Sequence, residues 1–262
     1  MRTRLNGIEV TFTDEGAGPS LLFVHGFPLS RGAWVQQVAA FKPNHRVIAP
    51  DLRGFGETEA TAGPVTMTRF AEDLHALMEH LKLGPVTLVG HSMGGYIALA
   101  FAAAYPEALQ GLVLVSTKAG PDGSAAAGTR RSLAERVRME GTGPVIEAMG
   151  PKMLAAGRMD PAMAASVLEF MTPSNPTGTI AALLGMAVRP DMQQMLRMIQ
   201  TPALVVSGTE DALIPDSESR AMVWALPNCR LALIPGGGHL VAFECAEAFN
   251  KVLGDWLEAH GL

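Results

Sequence analysis

Cysteine is almost absent from the 262 residues: Cys229 and Cys245 are the two present. Neither stands in a CxxC pair, which argues against a disulfide framework and against a zinc site, and two free thiols are expected. Charge is also sparse. Charged residues make up 17% of the chain and the formal net charge is −5. No cluster of Lys and Arg exists that could neutralise a phosphate backbone, so no nucleic-acid partner is expected. No apolar stretch reaches the roughly 18 residues that a membrane span needs, so no membrane partner is expected either. Arg2 and Arg4 are followed by no apolar h-region. A secretory signal is therefore not expected, and the cytoplasm is the default location.

What is present describes a globular chain. Apolar residues make up 48% of it, enough for a large core. The length exceeds an average domain but suits one α/β unit. Short apolar, β-branched runs recur at Ser20–His25, Arg46–Pro50, Val86–Gly90, Gly111–Ser116, Pro202–Gly208 and Arg230–Pro235. Apolar residues on successive positions suit strands covered on both faces. Ile8–Thr13 adds an antiparallel edge hairpin. Helical patterns fall between them, at Met67–Lys82, Gly94–Tyr105, Ser217–Leu226 and Ala246–His260. In the first of these, Phe70, Leu74, Leu77, Met78 and Leu81 recur at helical spacing. This alternation predicts a mostly parallel central sheet flanked by helices.

One segment breaks the alternation. Residues 119–200 contain no strand pattern and hold ten of the fifteen methionines. They are expected to form an inserted helical cap on a core made of residues 1–118 and 201–262. Methionine is flexible and polarizable, so Met139, Met149 and Met153 are candidates for an adaptable substrate pocket, with core filler as the alternative. Ser124–Gly128 is expected to be a mobile loop.

Chemistry concentrates at strand ends. Gly90-His-Ser92-Met-Gly94 follows a predicted strand and precedes a predicted helix, the context of a nucleophile elbow. A residue on so tight a turn takes strained dihedrals, and glycines on either side remove side chains that would collide. Ser92 is the candidate nucleophile, and a serine hydroxyl needs a base. Of seven histidines, His239 follows the last strand in a glycine-rich loop, at the strand end where α/β sheets bind ligands. His45, His75, His80 and His260 read as surface groups, His25 as a brace for its own loop, and His91 as pointing into the scaffold. The base in turn needs a carboxylate. Asp211 directly follows the strand ending at Gly208, with Glu210 and Asp216 as competitors. Oxyanion donors are expected from the backbone N–H of Met93, at a helix start, and of Phe27, in the turn after Ser20–His25. Asp51–Gly56 lacks a full nucleotide-loop fingerprint and reads as a structural turn held by Asp51 and Arg53. Arg189 is a candidate partner for a substrate carboxylate, with a surface role as the alternative.

Taken together, His25–Pro28, Asp51–Gly56, Gly90–Gly95, Gly208–Asp211 and Gly236–His239 resemble the α/β-hydrolase superfamily across the chain outside the cap. The resemblance implies an α/β-hydrolase fold with Ser92, Asp211 and His239 as catalytic residues and Phe27 and Met93 as oxyanion donors. It also favours a cis Phe27–Pro28 bond. Relatives with an aspartate nucleophile, the epoxide hydrolases and haloalkane dehalogenases, are disfavoured by Ser92. Residues 187–202 look similar to small carboxylesterases and 3-oxoadipate enol-lactonases, and the opening at His25 to non-haem haloperoxidases (perhydrolases). The expected partner is a small ester or lactone, with no metal and no cofactor. A C–C bond hydrolase or perhydrolase with the same triad is a second reading, and a slow-turnover ligand sensor a third.

Overall fold

The computed structural model describes residues 1–158, 160–172 and 174–262. Met159 and Pro173, both within the expected cap, lie outside the described residues. The strands are β1 (Arg2–Leu5), β2 (Ile8–Glu15), β3 (Ser20–Val24), β4 (Arg46–Pro50), β5 (Val86–His91), β6 (Leu109–Val115), β7 (Ala203–Gly208) and β8 (Cys229–Ile234). They form one sheet in the order β1-β2-β4-β3-β5-β6-β7-β8. The hairpin β1–β2 and the β2–β4 pair are antiparallel, and the strands from β4 to β8 are parallel. This is the α/β-hydrolase fold.

The apolar runs form strands because both faces of the sheet are covered. Along β3, Leu22 and Val24 pack into one core cluster, while Leu21 and Phe23 pack into another. Successive side chains point to opposite faces of a strand, so a run apolar at every position is buried twice. The first face is covered by α2 (Met67–His80), α3 (Met93–Ala104) and α8 (Asp216–Ala225). The second is covered by α1 (Val35–Phe41), the short α9 (Val241–Glu244) and α10 (Ala246–His260). Thr66 caps α2 by accepting from the Arg69 N–H at 3.1 Å.

Between β6 and β7 run α4 (Ser124–Glu140), α5 (Gly143–Met149), α6 (Pro161–Met171) and α7 (Pro176–Ala187). The last two start at Asp160-Pro161 and Asn175-Pro176, where each cap side chain accepts from the first-turn amides. An N-cap acceptor followed by proline at the first helical position is a strong start signal. Ser124–Gly128 is the first part of α4 rather than a loop. Its three alanines have the highest helix propensity of any residue, and Ala127 is buried. These helices dock on loops at the carboxyl ends of the strands. Val65 N–H donates to the Ala181 carbonyl at 3.0 Å, Ser174 Oγ to the Pro28 carbonyl at 2.8 Å, and Leu240 N–H to the Met153 carbonyl at 2.8 Å.

β3 lies between β4 and β5, so the chain leaves it toward one side and returns on the other. Such a reversal opens a crevice at the strand ends. The Val24–Gly90 and His91–Val115 pairings bring the ends of β3, β5 and β6 level. The loop after β3 and the turn after β5 therefore meet at one point. Among the described residues, no helix is long and apolar enough to cross a membrane.

Candidate active site

Ser92 sits on the turn between β5 and α3 with φ 53° and ψ −114°. That left-handed conformation is costly for any residue but glycine and persists where the surroundings over-determine it. Ser92 N–H donates to the Val115 carbonyl at 2.9 Å, and its carbonyl accepts from Thr117 Oγ1 at 2.7 Å. A Cβ at Gly90 would overlap the Gly94 carbonyl, one at Gly94 the Val24 carbonyl, and one at Gly95 the Thr117 side chain. Gly90 and Gly94 are thus required by close backbone approach between β3, β5 and α3, and Gly95 by the Thr117 side chain.

His239 follows β8 and is 1% exposed. Its Nδ1–H donates to Asp211, at 2.9 Å to Oδ2 and 3.1 Å to Oδ1. Asp211 Oδ1 also accepts from the amides of Leu213 (2.8 Å) and Ile214 (2.9 Å). Burial acts to raise the Asp211 pKa, but the bond and charge of His239, with the two amides, outweigh it. The carboxyl is held below its ordinary value. Glu210, its neighbour, is exposed, since adjacent side chains diverge. With Nδ1 committed to Asp211, the second ring nitrogen, Nε2, is buried and has no hydrogen-bond partner among the described residues. Ser92 and His239 line the same cavity of about 410 Å³. A neutral ring whose Nδ1–H is bound presents a lone pair at Nε2, which is what a general base requires.

Phe27 lines this cavity as well, and the Phe27–Pro28 bond is cis. The backbone N–H groups of Phe27 and Met93 make no hydrogen bond within the described residues. His25 braces the loop: its Nε2 accepts from the Leu52 amide at 3.0 Å, and its Nδ1–H donates to the Gly26 carbonyl at 2.9 Å. Asp51 accepts from the backbone amides of Arg31 (2.7 Å) and Glu57 (3.0 Å) and from the Arg31 guanidinium. Arg53 pairs with Asp73 through two bonds of 2.7 and 2.6 Å. The Asp51–Gly56 segment is a structural turn.

The expected pocket residues divide. Met149 lines the cavity. Met139 does not: it is 83% exposed on the outer side of α4. Met153 does not either, because it is fully buried in a separate core cluster with Leu29, Val167 and Leu240. Arg189 also corrects the expectation. Its guanidinium is spent on Asp122 (2.9 Å) and on the Gly120 carbonyl (2.9 Å), and it lies over the Tyr96 ring at 4.1 Å. It borders a second pocket and not the one that holds Ser92.

The cationic groups in the Ser92 cavity are Lys118, Arg130 and Lys152, none of which the sequence singled out. A signal existed. Ala126, Thr129, Arg130 and Leu133 all line the cavity, and their spacing is one face of a helix. Glu244 was missed too. Buried, it accepts from the amides of Gly238 and Ala155 (2.8 Å to the latter), joining the His239 loop to the helical segment. Among the described residues, no group of three or more His, Cys, Asp or Glu is placed to hold a metal ion.

A family model described as the alpha/beta hydrolase fold matches residues 19–245. Among solved structures, a thermophilic esterase from Thermogutta terrifontis with malate bound is 41% identical. The match covers 99% of this chain and 97% of that one, with a TM-score of 0.94. The enol-lactonase from Burkholderia xenovorans LB400 is 26% identical over 98% of this chain and 100% of its own, with a TM-score of 0.92. A bromoperoxidase from Bacillus anthracis is 27% identical over 96% of each chain, with a TM-score of 0.86.

Proposed function

This chain belongs to the alpha/beta hydrolase fold family, and on that premise we propose that it hydrolyses carboxylic esters or lactones through an acyl-enzyme on Ser92. One observation carries the reading. The Nδ1 of His239 is bound to Asp211 while its Nε2 is buried and uncommitted, and both His239 and Ser92 line one cavity.

Ser92 Oγ attacks the substrate carbonyl as His239 Nε2 takes its proton. Asp211 keeps the ring in the Nδ1–H tautomer and stabilises the imidazolium. The N–H groups of Phe27 and Met93 receive the negative charge that builds on the carbonyl oxygen, with Met93 at the positive end of α3. Collapse expels the alcohol, which carries away the proton from His239. Water, deprotonated by the same ring, then attacks the acyl group, and Ser92 is released. In a lactone the leaving alcohol stays tethered to the acyl group. Helices α4, α5 and α7, which supply Leu133, Met149, Leu183 and Met186 to the cavity, act as the lid that selects the acyl group.

The test is turnover of a panel of p-nitrophenyl esters and lactones, run beside Ser92→Ala. The substitution should abolish turnover with the melting temperature unchanged. Phenylmethylsulfonyl fluoride should add to Ser92, located by peptide mapping. Near wild-type activity in Ser92→Ala overturns the reading. Labelling with a single turnover would instead mark a ligand sensor.

A further inference from the structure

The catalytic cavity is positive in a chain that is negative overall. Lys118, Arg130 and Lys152 line it against a single carboxylate, Asp122, while the chain carries −5. Asp122 does not neutralise this excess, because it is shared with a further cation, Arg189. Its side chain is 2% exposed and accepts from Arg189 Nη1 at 2.9 Å, and also from Arg130 Nε. Burial acts to raise the Asp122 pKa, but Arg130 and Arg189 outweigh it and hold the carboxyl below its ordinary value, so it stays ionised. Three cations, Arg130, Arg189 and Lys118, thus share one carboxylate, and two positive charges are left over.

Their donors are also left over. Arg130 spends Nε on Asp122, and its two terminal nitrogens make no hydrogen bond within the described residues. Lys118 Nζ stands 3.8 Å from Asp122, beyond hydrogen-bond distance. Both side chains are 23% exposed, at the wall of a concave site. A concave, low-dielectric wall of one sign focuses its field on whatever enters. Unpaired donors there are costly to desolvate unless the entrant supplies acceptors. A neutral ester supplies none with charge. The free edge of a guanidinium matches a two-oxygen anion through paired hydrogen bonds.

We propose that the substrate carries a free carboxylate, bound by Arg130 and Lys118 while its ester or lactone carbonyl lies at Ser92. This rests on the hydrolase reading above and names its substrate class. The cavity, at about 410 Å³, has room for a small acid of this kind. Asp122 fixes Arg130 by its Nε and leaves the terminal nitrogens aimed elsewhere. Lys152, which is exposed, adds charge at the rim.

Two nearly isosteric substrates test the proposal: p-nitrophenyl pentanoate, which is neutral, and the p-nitrophenyl monoester of glutaric acid. The wild-type protein should favour the acid about tenfold or more in kcat/KM, mainly through KM. The preference should shrink as salt is raised, because the pairing is partly screened. Arg130→Gln and Lys118→Met should each lower the acid-to-neutral ratio, and Arg130→Lys should restore part of it. In parallel, glutarate and inorganic phosphate are titrated calorimetrically into Ser92→Ala. Glutarate should bind, and Arg130→Gln should abolish that binding. This supports the proposal even if neither ester is turned over, in which case the hydrolase reading alone falls. A wild-type ratio near one, or one unchanged by both substitutions, overturns the proposal and leaves the hydrolase reading standing. Phosphate binding in preference to glutarate overturns the carboxylate assignment.

Discussion

His91 Nε2–H donates to the backbone carbonyl of His239 at 2.9 Å. The residue before the proposed nucleophile thereby holds the loop that carries the proposed base. The bond spans two strand ends and requires the His91 ring to carry a proton on Nε2. Nδ1 of that ring is buried with no partner among the described residues.

This arrangement makes stability depend on pH. Burial pushes the His91 pKa from 6.5 down to about 3, with the nearby His239 adding to the effect. The folded-state value lies below the unfolded one, so between those limits the unfolded chain takes up a proton that the folded chain refuses. Stability should be full above about pH 6.5 and fall as pH drops toward 3, at up to about 1.4 kcal/mol per unit. His91→Gln keeps an amide donor near the Nε2 position and cannot titrate. Chemical denaturation between pH 4 and 7 should give a shallower slope for this variant, and an unchanged slope would exonerate His91.

Asp211 and Glu210 should behave differently. Asp211→Asn removes the charge that orients His239, and kcat should fall by about 10⁴-fold, as in comparable triads. Glu210→Gln alters an exposed side chain and should leave kcat within error. The reverse pattern in steady-state kinetics would move the acid by one position.

Tyr96 stands between two spaces. It lines the cavity of about 410 Å³ at Ser92 and also an apolar pocket of about 220 Å³ bordered by Met67, Leu99 and Met192. The Arg189 guanidinium backs its ring. Tyr96→Ala should join the two spaces and move the preferred acyl length of a p-nitrophenyl ester series to longer chains. An unmoved optimum would mean that another wall sets the limit.

Gly94 tests the packing of the elbow. A Cβ there meets backbone, the carbonyls of Val24 and His25, and backbone cannot rotate away. Gly94→Ala should cost about 1–3 kcal/mol through overpacking and should also displace the loop that carries Phe27. A thermal melt and kcat should both fall, and a melt equal to the wild type would show that β3 and α3 can separate freely.

The strands, the elbow and the order Ser92, Asp211, His239 were legible in the sequence because their signals are local. A strand buried on both faces must be apolar at every position, and an elbow must carry glycine where backbones touch. Ala246–His260 was readable for the same reason, since its apolar period lies within one helix. Tertiary structure alone decided what surrounds Ser92. Met149 lines the cavity and Met139 faces solvent although both lie in the same helical segment, because a residue's surroundings depend on how its helix docks. Asp122 is shared by Arg189 and Arg130, which leaves Lys118 and the terminal nitrogens of Arg130 to the cavity, a division of charge that spans a loop, α4 and the segment after α7. No local pattern encodes such a choice. It follows from which side chains the fold brings within a few ångströms of one another.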